Sequence, residues 1–482
     1  MPRDLVAGID SSTQSSTVVL RRLADGGVAG EARAPHPPTT PPKSEQDPRS
    51  WWSALGEAFG DLSGDLERVA AISCGGQGHG LVMLGADDEP LRPAKLWNDT
   101  ETAPDAVRLC EAMAPADWAA RTGSVPGPAL TVSKLAWTER CHPGLLARAA
   151  RIMLPSDYVL YRLSGAAVTE RGGASGTGYF DPFADIWLPG YAALCGADLD
   201  WERLLPEIVD SSGRAGTVGP AAGFAALEGA VVGTGTGDNQ TAALGMAVED
   251  GDTVVSIGTS GTVYQVTTQP VRDATGMING YADATGRFMP MVTTLNAAKV
   301  TDMVRRLLGV SHAEFDDLAL GCAAGARDTV MVPYLDGERT PNRPDATGWL
   351  RGLRSDTTPA MMARAAVEGV LCGLLEGRDL IAAQGVEAKG RLLLTGGAAR
   401  SAAYRQCLAD LTGRAVLVSP IEEAAAAGAA VQAAAALTGE PAEAIARRWA
   451  PEPVIAAEPR EDATAVRAAY RDMLARIDDG FG

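Results

Sequence analysis

The chain alternates short apolar runs with turn-forming residues, a pattern that predicts strands ending in polar turns. In residues 4–20, "DLVAGIDSSTQSSTVVL", apolar residues lie on both sides of a Ser/Thr-rich turn. Residues 252–266, "DTVVSIGTSGTVYQV", have the same layout around a Gly/Thr/Ser turn. Residues 69–77 and 391–399 are both apolar runs that end in a double glycine. Because these two features recur in the same order, the sequence predicts two related α/β halves.

Apolar residues at helical spacing predict helices between these strands. One helix is predicted to begin near Pro48, and a longer one after Pro359. A third covers the alanine-rich segment 422–437, which Gly428 interrupts. A glycine inside a helix weakens it by about 1 kcal/mol relative to alanine, so Gly428 indicates close approach by another helix or by a flat ring.

Length and charge narrow the class of protein. A chain of 482 residues is too long for one ordinary core, and we place the boundary near residues 245–252, giving domains 1–246 and 247–482. The net charge of −18 argues against non-specific nucleic-acid binding. No apolar segment is long enough to span a membrane, and seven cysteines without a CxxC pair fit reduced thiols. We therefore expect a cytoplasmic protein with no nucleic-acid or membrane partner.

The glycine-rich run "GTGTGDNQTAALG" at 233–245 places one acid, Asp238, on flexible backbone just before a small-residue helix. One interpretation is a strand-to-helix turn in which Asp238 or Asn239 is the N-cap. The other is a catalytic carboxylate on backbone that approaches a ligand closely. The two hairpin turns supply hydroxyl and backbone N–H groups that can bind phosphate, although no P-loop motif is present.

A series of short motifs identifies a resemblance from residue 4 to about residue 440. In chain order they are "GIDSSTQSS", "SEQDPRSWW", "GGQGHG", "LWNDTET", "LPSDYVLYRLSG", "GTGDNQ", "SIGTSGTVY", "YLDGERTPNRP", "GWLRGL" and "TGGAARSAAYRQCLAD". The order and spacing resemble those of the FGGY carbohydrate kinases. The resemblance implies an α/β fold of two duplicated actin/hexokinase-like (ribonuclease H-like) ATPase domains with a cleft between them. It implies a sugar and ATP as partners, Mg²⁺ as metal, and leaves a homodimer as one option.

The resemblance also implies roles for individual residues. Asp238 matches the general base, and Asp10 matches the catalytic carboxylate that organises Mg²⁺. Residues that match the sugar-binding positions are Gly78, His79, Trp97, Asn98, Asp99 and Asn239. Residues that match the ATP-binding positions are Ser12, Thr13, Gly258, Thr259, Ser260, Gly261, Gly396, Gly397, Ala398 and Gly428.

The implied activity is ATP-dependent phosphorylation of a ketopentose, with D-xylulose as the expected acceptor. Another ketose or a polyol, ribulose among them, is the alternative within the family. An actin-like assembly protein would share the two hairpins but would not need Asp238, His79 or the segment "WND". Two residues keep a structural alternative: His79 as a core histidine with satisfied hydrogen bonds, and Trp97 as a core residue.

Three positions depart from the family pattern. Ser12 stands where a glycine is usual, and Thr17 where the same turn usually has a lysine. The missing lysine predicts a weaker contact between the first turn and phosphate. Gly78 stands where a methionine is usual, which predicts a wider sugar pocket.

Overall fold

The computed structural model describes residues 3–478. Within them, strands β1 to β24 span, in order, Leu5–Ser11, Ser15–Arg22, Val28–Pro35, Glu45–Gln46, Val69–Gly76, Val82–Leu84, Ala94–Lys95, Arg151–Met153, Val168–Thr169, Phe180–Asp181, Ile186–Trp187, Glu207–Ile208, Arg214–Thr217, Val231–Gly233, Thr236–Gly237, Thr253–Ile257, Gly261–Gln265, Asn279–Ala282, Phe288–Thr294, Val330–Val332, Trp349–Arg351, Leu392–Thr395, Val416–Val418 and Val454–Ala457. Helices α1 to α16 span Pro48–Asp61, Ala103–Ala112, Pro115–Thr122, Thr131–Cys141, Pro155–Ser164, Arg171–Ala174, Pro189–Ala192, Trp201–Leu204, Asp238–Gly245, Ala298–Leu308, His312–Leu320, Pro359–Ala383, Ala402–Thr412, Ala424–Thr438, Ala442–Trp449 and Thr464–Asp478.

The chain forms two compact units, and both are discontinuous in sequence. The first unit comprises the residues up to Val248, Thr268–Met289 and Ile421–Pro451. The second unit comprises Glu249–Thr267, Pro290–Pro420 and the residues from Glu452 onward. Two segments of the C-terminal half therefore belong to the first unit, and the division into domains 1–246 and 247–482 stays a prediction.

The central sheet of the first unit has the strand order β13-β14-β5-β1-β2-β3, with β15 also paired to β5. Strand β1 runs antiparallel to β2, which runs antiparallel to β3. On its other side β1 runs parallel to β5, which runs parallel to β14, and β13 closes this edge in antiparallel orientation.

Strands of the second unit repeat this topology. Six of them follow in the order β19-β17-β16-β22-β23-β24. Strand β16 is antiparallel to β17, which is antiparallel to β19, whereas β16 is parallel to β22, which is parallel to β23. An antiparallel strand, β24, again closes the edge. The prediction of two related α/β halves is confirmed by this match.

The two sheet faces of the first unit are packed differently. On one face, Ile9 and Val18 belong to a buried core shared with α1 and α5. On the other face, helix α14 lies so close that a Cβ at Gly8 would meet the backbone of Ala426 and Ala430. Because side chains alternate along a strand, Asp10 lies on the same face as Gly8 and therefore on the α14 side.

The predicted helices are present, and Gly428 has a packing explanation. Helices α1 and α12 begin at Pro48 and Pro359, as the sequence indicated. A Cβ at Gly428 would collide with the carbonyl oxygen of Thr241 in α9, so α14 and α9 touch through their backbones. Of the two interpretations of this glycine, the close approach of another helix is the one observed.

In the part of the chain that the structure describes, no helix combines the length and the apolar character needed to cross a membrane.

Candidate active site

The first hairpin turn, between β1 and β2, orients the carboxylate of Asp10. Ser12 Oγ lies 2.7 Å from both oxygens of this carboxylate and donates to it. Burial raises the pKa of Asp10 to about 7; the Ser12 hydrogen bond opposes the increase, whereas the charges of Asp238 and Glu423 add to it. Asp10 and Asp238, predicted as the two catalytic carboxylates, are thus close enough to interact electrostatically.

His36 stabilises this turn through two hydrogen bonds. Its Nδ1 lies 2.9 Å from the carbonyl oxygen of Ser12, and its Nε2 lies 2.9 Å from Ser16 Oγ. Burial lowers the pKa of His36 to about 4, so the ring is neutral at physiological pH. A neutral ring that donates through Nδ1 and accepts through Nε2 satisfies both contacts. Sequence reasoning missed this residue, and its signal was a histidine inside the proline-rich segment 35–48.

Asp238 occupies the first position of α9. The chain reaches it through β14 and β15, and β15 pairs with the double-glycine end of β5. The N-cap residue is Gly237, without a side-chain hydrogen bond, so the N-cap interpretation of Asp238 and Asn239 is wrong. Asp238 Oδ1 accepts from the backbone nitrogen of Asn239 at 2.7 Å and from its Nδ2 at 2.9 Å. Burial raises the pKa of Asp238 to about 6, and these two hydrogen bonds oppose the increase.

His79 is held in an unusual backbone conformation. Its φ of 64° lies in the left-handed region, which non-glycine residues adopt rarely. Its Nδ1 lies 3.0 Å from the carbonyl oxygen of Gly176, and its Nε2 lies 3.3 Å from the hydroxyl of Tyr281, whose ring lies beside the imidazole. The neighbouring Gly78 has no atom within 4 Å of the position that a Cβ would take. Open space is therefore present where the family pattern has a methionine.

Residues of the segment "WND" lie in different surroundings. Trp97 Nε1 donates to Thr13 Oγ1 at 3.0 Å, and Thr13 Oγ1 lies 3.2 Å from Gln77 Oε1. The indole thus links the first turn to the segment that carries His79. Asn98 Oδ1 is buried and has no hydrogen-bond partner among the residues described.

Asp99 is fully buried and completes a charge cluster. Its oxygens accept from the backbone nitrogens of Ser44 and Glu101 and from Lys95 Nζ, the last at 2.8 Å. Lys95 Nζ also lies 2.7 Å from Glu101 and 3.3 Å from Glu45. The three carboxylates lie close enough together to hold a metal ion, but Lys95 Nζ already pairs with all three and Arg92 pairs with Glu45. Asp99 therefore has a structural role in holding its own segment, and its contact with a sugar stays a prediction.

The second unit brings together the two predicted ATP-binding turns. The turn between β16 and β17 contains Gly258, Thr259, Ser260 and Gly261, and the side chain of Thr259 is exposed. The strand end at Gly396 lies beside it, because a Cβ there would be 2.6 Å from the carbonyl oxygen of Ile257.

The remaining predicted ATP-binding residues have different surroundings. Gly396 has a φ of 80°, and no atom lies within 4 Å of a Cβ placed at Gly397. Ala398 is buried in the turn that follows. Gly428 belongs to the first unit, and its part in ATP binding stays a prediction.

Comparison with known proteins agrees with this arrangement. The family model described as "FGGY family of carbohydrate kinases, N-terminal domain" matches residues 5–245, and the corresponding C-terminal model matches residues 253–437. A xylulose kinase of Streptomyces rubiginosus is 42% identical over 483 residues, which cover 99% of this chain and 98% of the relative. A xylulose kinase of Escherichia coli is 33% identical, with 84% of each chain covered.

Solved structures include a xylulose kinase from Bifidobacterium adolescentis, with a TM-score of 0.86, 34% identity and coverage of 98% of this chain and 99% of that one. The matched models span most of the sequence, and the duplicated topology and the two phosphate-type turns fit them. The chain belongs to the FGGY family of carbohydrate kinases.

Proposed function

We propose that the protein transfers the γ-phosphoryl group of ATP to D-xylulose, with Asp238 as the general base. The observation that carries this proposal is the state of the Asp238 carboxylate. Its Oδ1 is held by Asn239, whereas its Oδ2 accepts no hydrogen bond from the described part of the chain. With a pKa raised by burial to about 6, the carboxylate is ionised at neutral pH and is more basic than an ordinary aspartate.

In this reaction Asp238 Oδ2 takes the proton of the acceptor hydroxyl. The hydroxyl oxygen forms a bond to the γ-phosphorus while the bond from that phosphorus to the bridging oxygen of ADP breaks. ADP leaves, the sugar becomes D-xylulose 5-phosphate, and the proton on Asp238 returns to solvent. Phosphoryl transfer needs in-line positioning and charge stabilisation more than covalent help, so one positioned base is sufficient.

Asp10 fits the role of a magnesium ligand. It offers carboxylate oxygens, which Mg²⁺ prefers, and Ser12 fixes their orientation. Burial and the charges of Asp238 and Glu423 raise its pKa to about 7, so its negative charge is poorly compensated within the protein. When bound, Mg²⁺ supplies charge neutralisation for the triphosphate.

Unsatisfied polar atoms on the segments that carry His79 and Trp97 support a polyol-binding pocket. Asn98 Oδ1 and Gln77 Nε2 are both buried without hydrogen-bond partners among the residues described. One is an acceptor and the other a donor, and a sugar hydroxyl can satisfy either. The open space next to Gly78 provides room for the sugar carbon chain.

The ATP-binding role of the second unit rests on its two turns. Thr259 and Ser260 combine hydroxyl groups with the backbone amides of a tight turn, a combination that binds phosphate. The backbone at Gly396 and Gly397 is free of side chains, which permits close approach by a flat adenine ring.

The choice of D-xylulose rests on the relatives. Curated relatives in Streptomyces rubiginosus and Escherichia coli carry the name xylulose kinase, as does the structural neighbour from Bifidobacterium adolescentis. Hydroxyl discrimination depends on how polar groups are placed in the pocket, so a direct substrate comparison is needed.

A coupled ADP-release assay across ketopentoses, ketohexoses and polyols tests the proposal. We expect the highest kcat/KM for D-xylulose, an absolute requirement for sugar, and loss of the signal in Asp238→Asn. A higher kcat/KM for D-ribulose or a polyol would contradict the acceptor assignment. ADP release at the full rate without any sugar would contradict the sugar kinase itself.

A further inference from the structure

One row of residues crosses three strands of the first sheet at the level of Asp10. Asp10 on β1 lies directly opposite Thr17 on β2, and Thr17 lies directly opposite Arg33 on β3. Opposite residues in antiparallel strands project to the same face. Arg33, Thr17 and Asp10 therefore project side by side on the α14 face of the sheet.

The charges around this row are mostly negative. Asp10 has the carboxylates of Asp238 and Glu423 within electrostatic range, and both raise its pKa. Thr17 is almost fully buried and uncharged. Arg33 is the cation whose charge opposes the rise in the pKa of Asp10, and it also opposes the rise in the pKa of Glu423.

The Arg33 guanidinium is anchored beside the turn but is not consumed by an ion pair. Its Nε donates to Ser15 Oγ at 2.9 Å, and Ser15 is the residue at which β2 begins. Within residues 3–478, no carboxylate lies within ion-pair distance of Arg33. The four N–H bonds of its two terminal nitrogens are therefore available, and the side chain is exposed.

We propose that Arg33 is the phosphate-binding cation of the first turn and contacts the triphosphate of ATP. This inference rests on the proposed kinase function. A triphosphate that approaches Asp10, Asp238 and Glu423 is repelled by their charges, and a cation beside them reduces this repulsion in addition to Mg²⁺. A guanidinium suits the task because its planar fork donates two parallel hydrogen bonds to one phosphate group.

The strand register explains why Arg33 on β3 can take the place of the lysine that the family pattern has on β2. Thr17 occupies the central place of the row, where the family pattern has a lysine, and it carries no charge. Arg33 is one strand farther from Asp10, about 5 Å, and its side chain is long enough to span that separation. A purely structural role would instead confine Arg33 to its hydrogen bond with Ser15.

Three variants and two ligands distinguish a phosphate-binding role of Arg33 from a purely structural one. We expect Arg33→Ala to weaken binding of ATP by roughly 10-fold or more in calorimetry, because charge-assisted hydrogen bonds are lost. Binding of adenosine, which has no phosphate, should stay within about twofold, and Arg33→Lys should recover part of the ATP affinity. In steady-state kinetics the KM for ATP should rise in Arg33→Ala while the KM for sugar changes little.

Arg22→Ala is the matched control. Arg22 is also an exposed arginine of this hairpin, but it is paired with Asp25 at 3.0 Å at the far end of β2. The ATP affinity of the Arg22→Ala variant should equal that of the wild type. Unchanged ATP binding in Arg33→Ala, or an equal loss for ATP and adenosine, would overturn the inference. Because calorimetry needs no sugar, either result is independent of whether D-xylulose is the acceptor.

Discussion

Lys95 Nζ lies 2.8 Å from Asp99 Oδ2, and both side chains are fully buried. The pair flanks Trp97 and Asn98, so it holds the segment that we assign to the sugar pocket. A buried ion pair need not stabilise the fold relative to apolar residues, but the loss of Asp99 would leave the buried ammonium of Lys95 with only the more exposed Glu101 and Glu45 as partners.

Asp99→Asn should therefore destabilise the protein strongly. The asparagine can still accept from one of the two backbone nitrogens, but its NH₂ group then faces the other donor, and the ammonium of Lys95 loses its fully buried partner. We expect the free energy of unfolding to fall by about 1–3 kcal/mol, measured by urea denaturation, because a buried donor is left without an acceptor while Lys95 keeps two carboxylate partners. Glu101→Gln is the matched control, because Glu101 also contacts Lys95 but is 32% exposed, and its loss should cost less. If Asp99 instead serves mainly to bind sugar, stability will be unchanged and only the KM for sugar will rise.

Asp238→Asn should abolish sugar phosphorylation while ATP affinity stays nearly intact. The loss of a general base lowers kcat by roughly 10²–10⁴. The same substitution should raise the melting temperature at pH 8. Because burial raises the pKa of Asp238 to about 6, the folded state disfavours its charged form, and this cost grows as the pH rises above the unfolded pKa. Residual activity within tenfold of wild type would remove Asp238 from the base role.

Activity should decline on the acidic side of neutrality. A general base must be ionised, so kcat/KM should fall as the pH drops through the range of about 6 to 7 set by Asp238 and Asp10. The two carboxylates interact, so the apparent pKa values of the profile belong to the pair. A profile of kcat/KM for sugar from pH 5 to 9 checks this, and a flat profile down to pH 5 would contradict the raised pKa values.

His79 variants can separate the ring from the backbone. His79→Asn keeps a residue that tolerates a positive φ, whereas His79→Ala adds backbone strain. Both should raise the KM for sugar more than the KM for ATP, because both remove the imidazole. The alanine variant should also be less stable in thermal unfolding. An effect confined to the KM for ATP would place His79 outside the sugar pocket.

The sequence predicted features that depend on local pattern. Residues 4–20 predicted β1 and β2 because a polar turn between apolar runs specifies a hairpin, and Pro48 and Pro359 marked helix starts. The duplicated topology followed from the repeat of hairpin and double glycine.

Features that depend on distant contacts were not predictable in this way. The pairing of Asp99 with Lys95, the support of Ser12 by His36 and the placement of Arg33 in one row with Asp10 require the register of the sheet and the path of a loop. The packing of Ile421–Pro451 into the first unit is likewise a tertiary outcome. Hydrophobic periodicity describes which face is buried, but not which partner covers it.

Gly428 offers a direct test of packing against ligand binding. Alanine in an exposed helix interior is favoured over glycine by about 1 kcal/mol, yet a Cβ at Gly428 would overlap the carbonyl oxygen of Thr241. The overlapping atom belongs to the backbone and cannot move aside as a side chain can. We therefore expect Gly428→Ala to lower the free energy of unfolding by about 1–3 kcal/mol. It should also lower kcat, because Thr241 and Asp238 lie on the same helix, α9.

Gly60→Ala in α1 is the matched control: no atom lies within 4 Å of its Cβ position, so this variant should be as stable as wild type or slightly more so. If Gly428 instead borders the adenine ring, Gly428→Ala will weaken ATP binding in calorimetry without any loss of stability in denaturation.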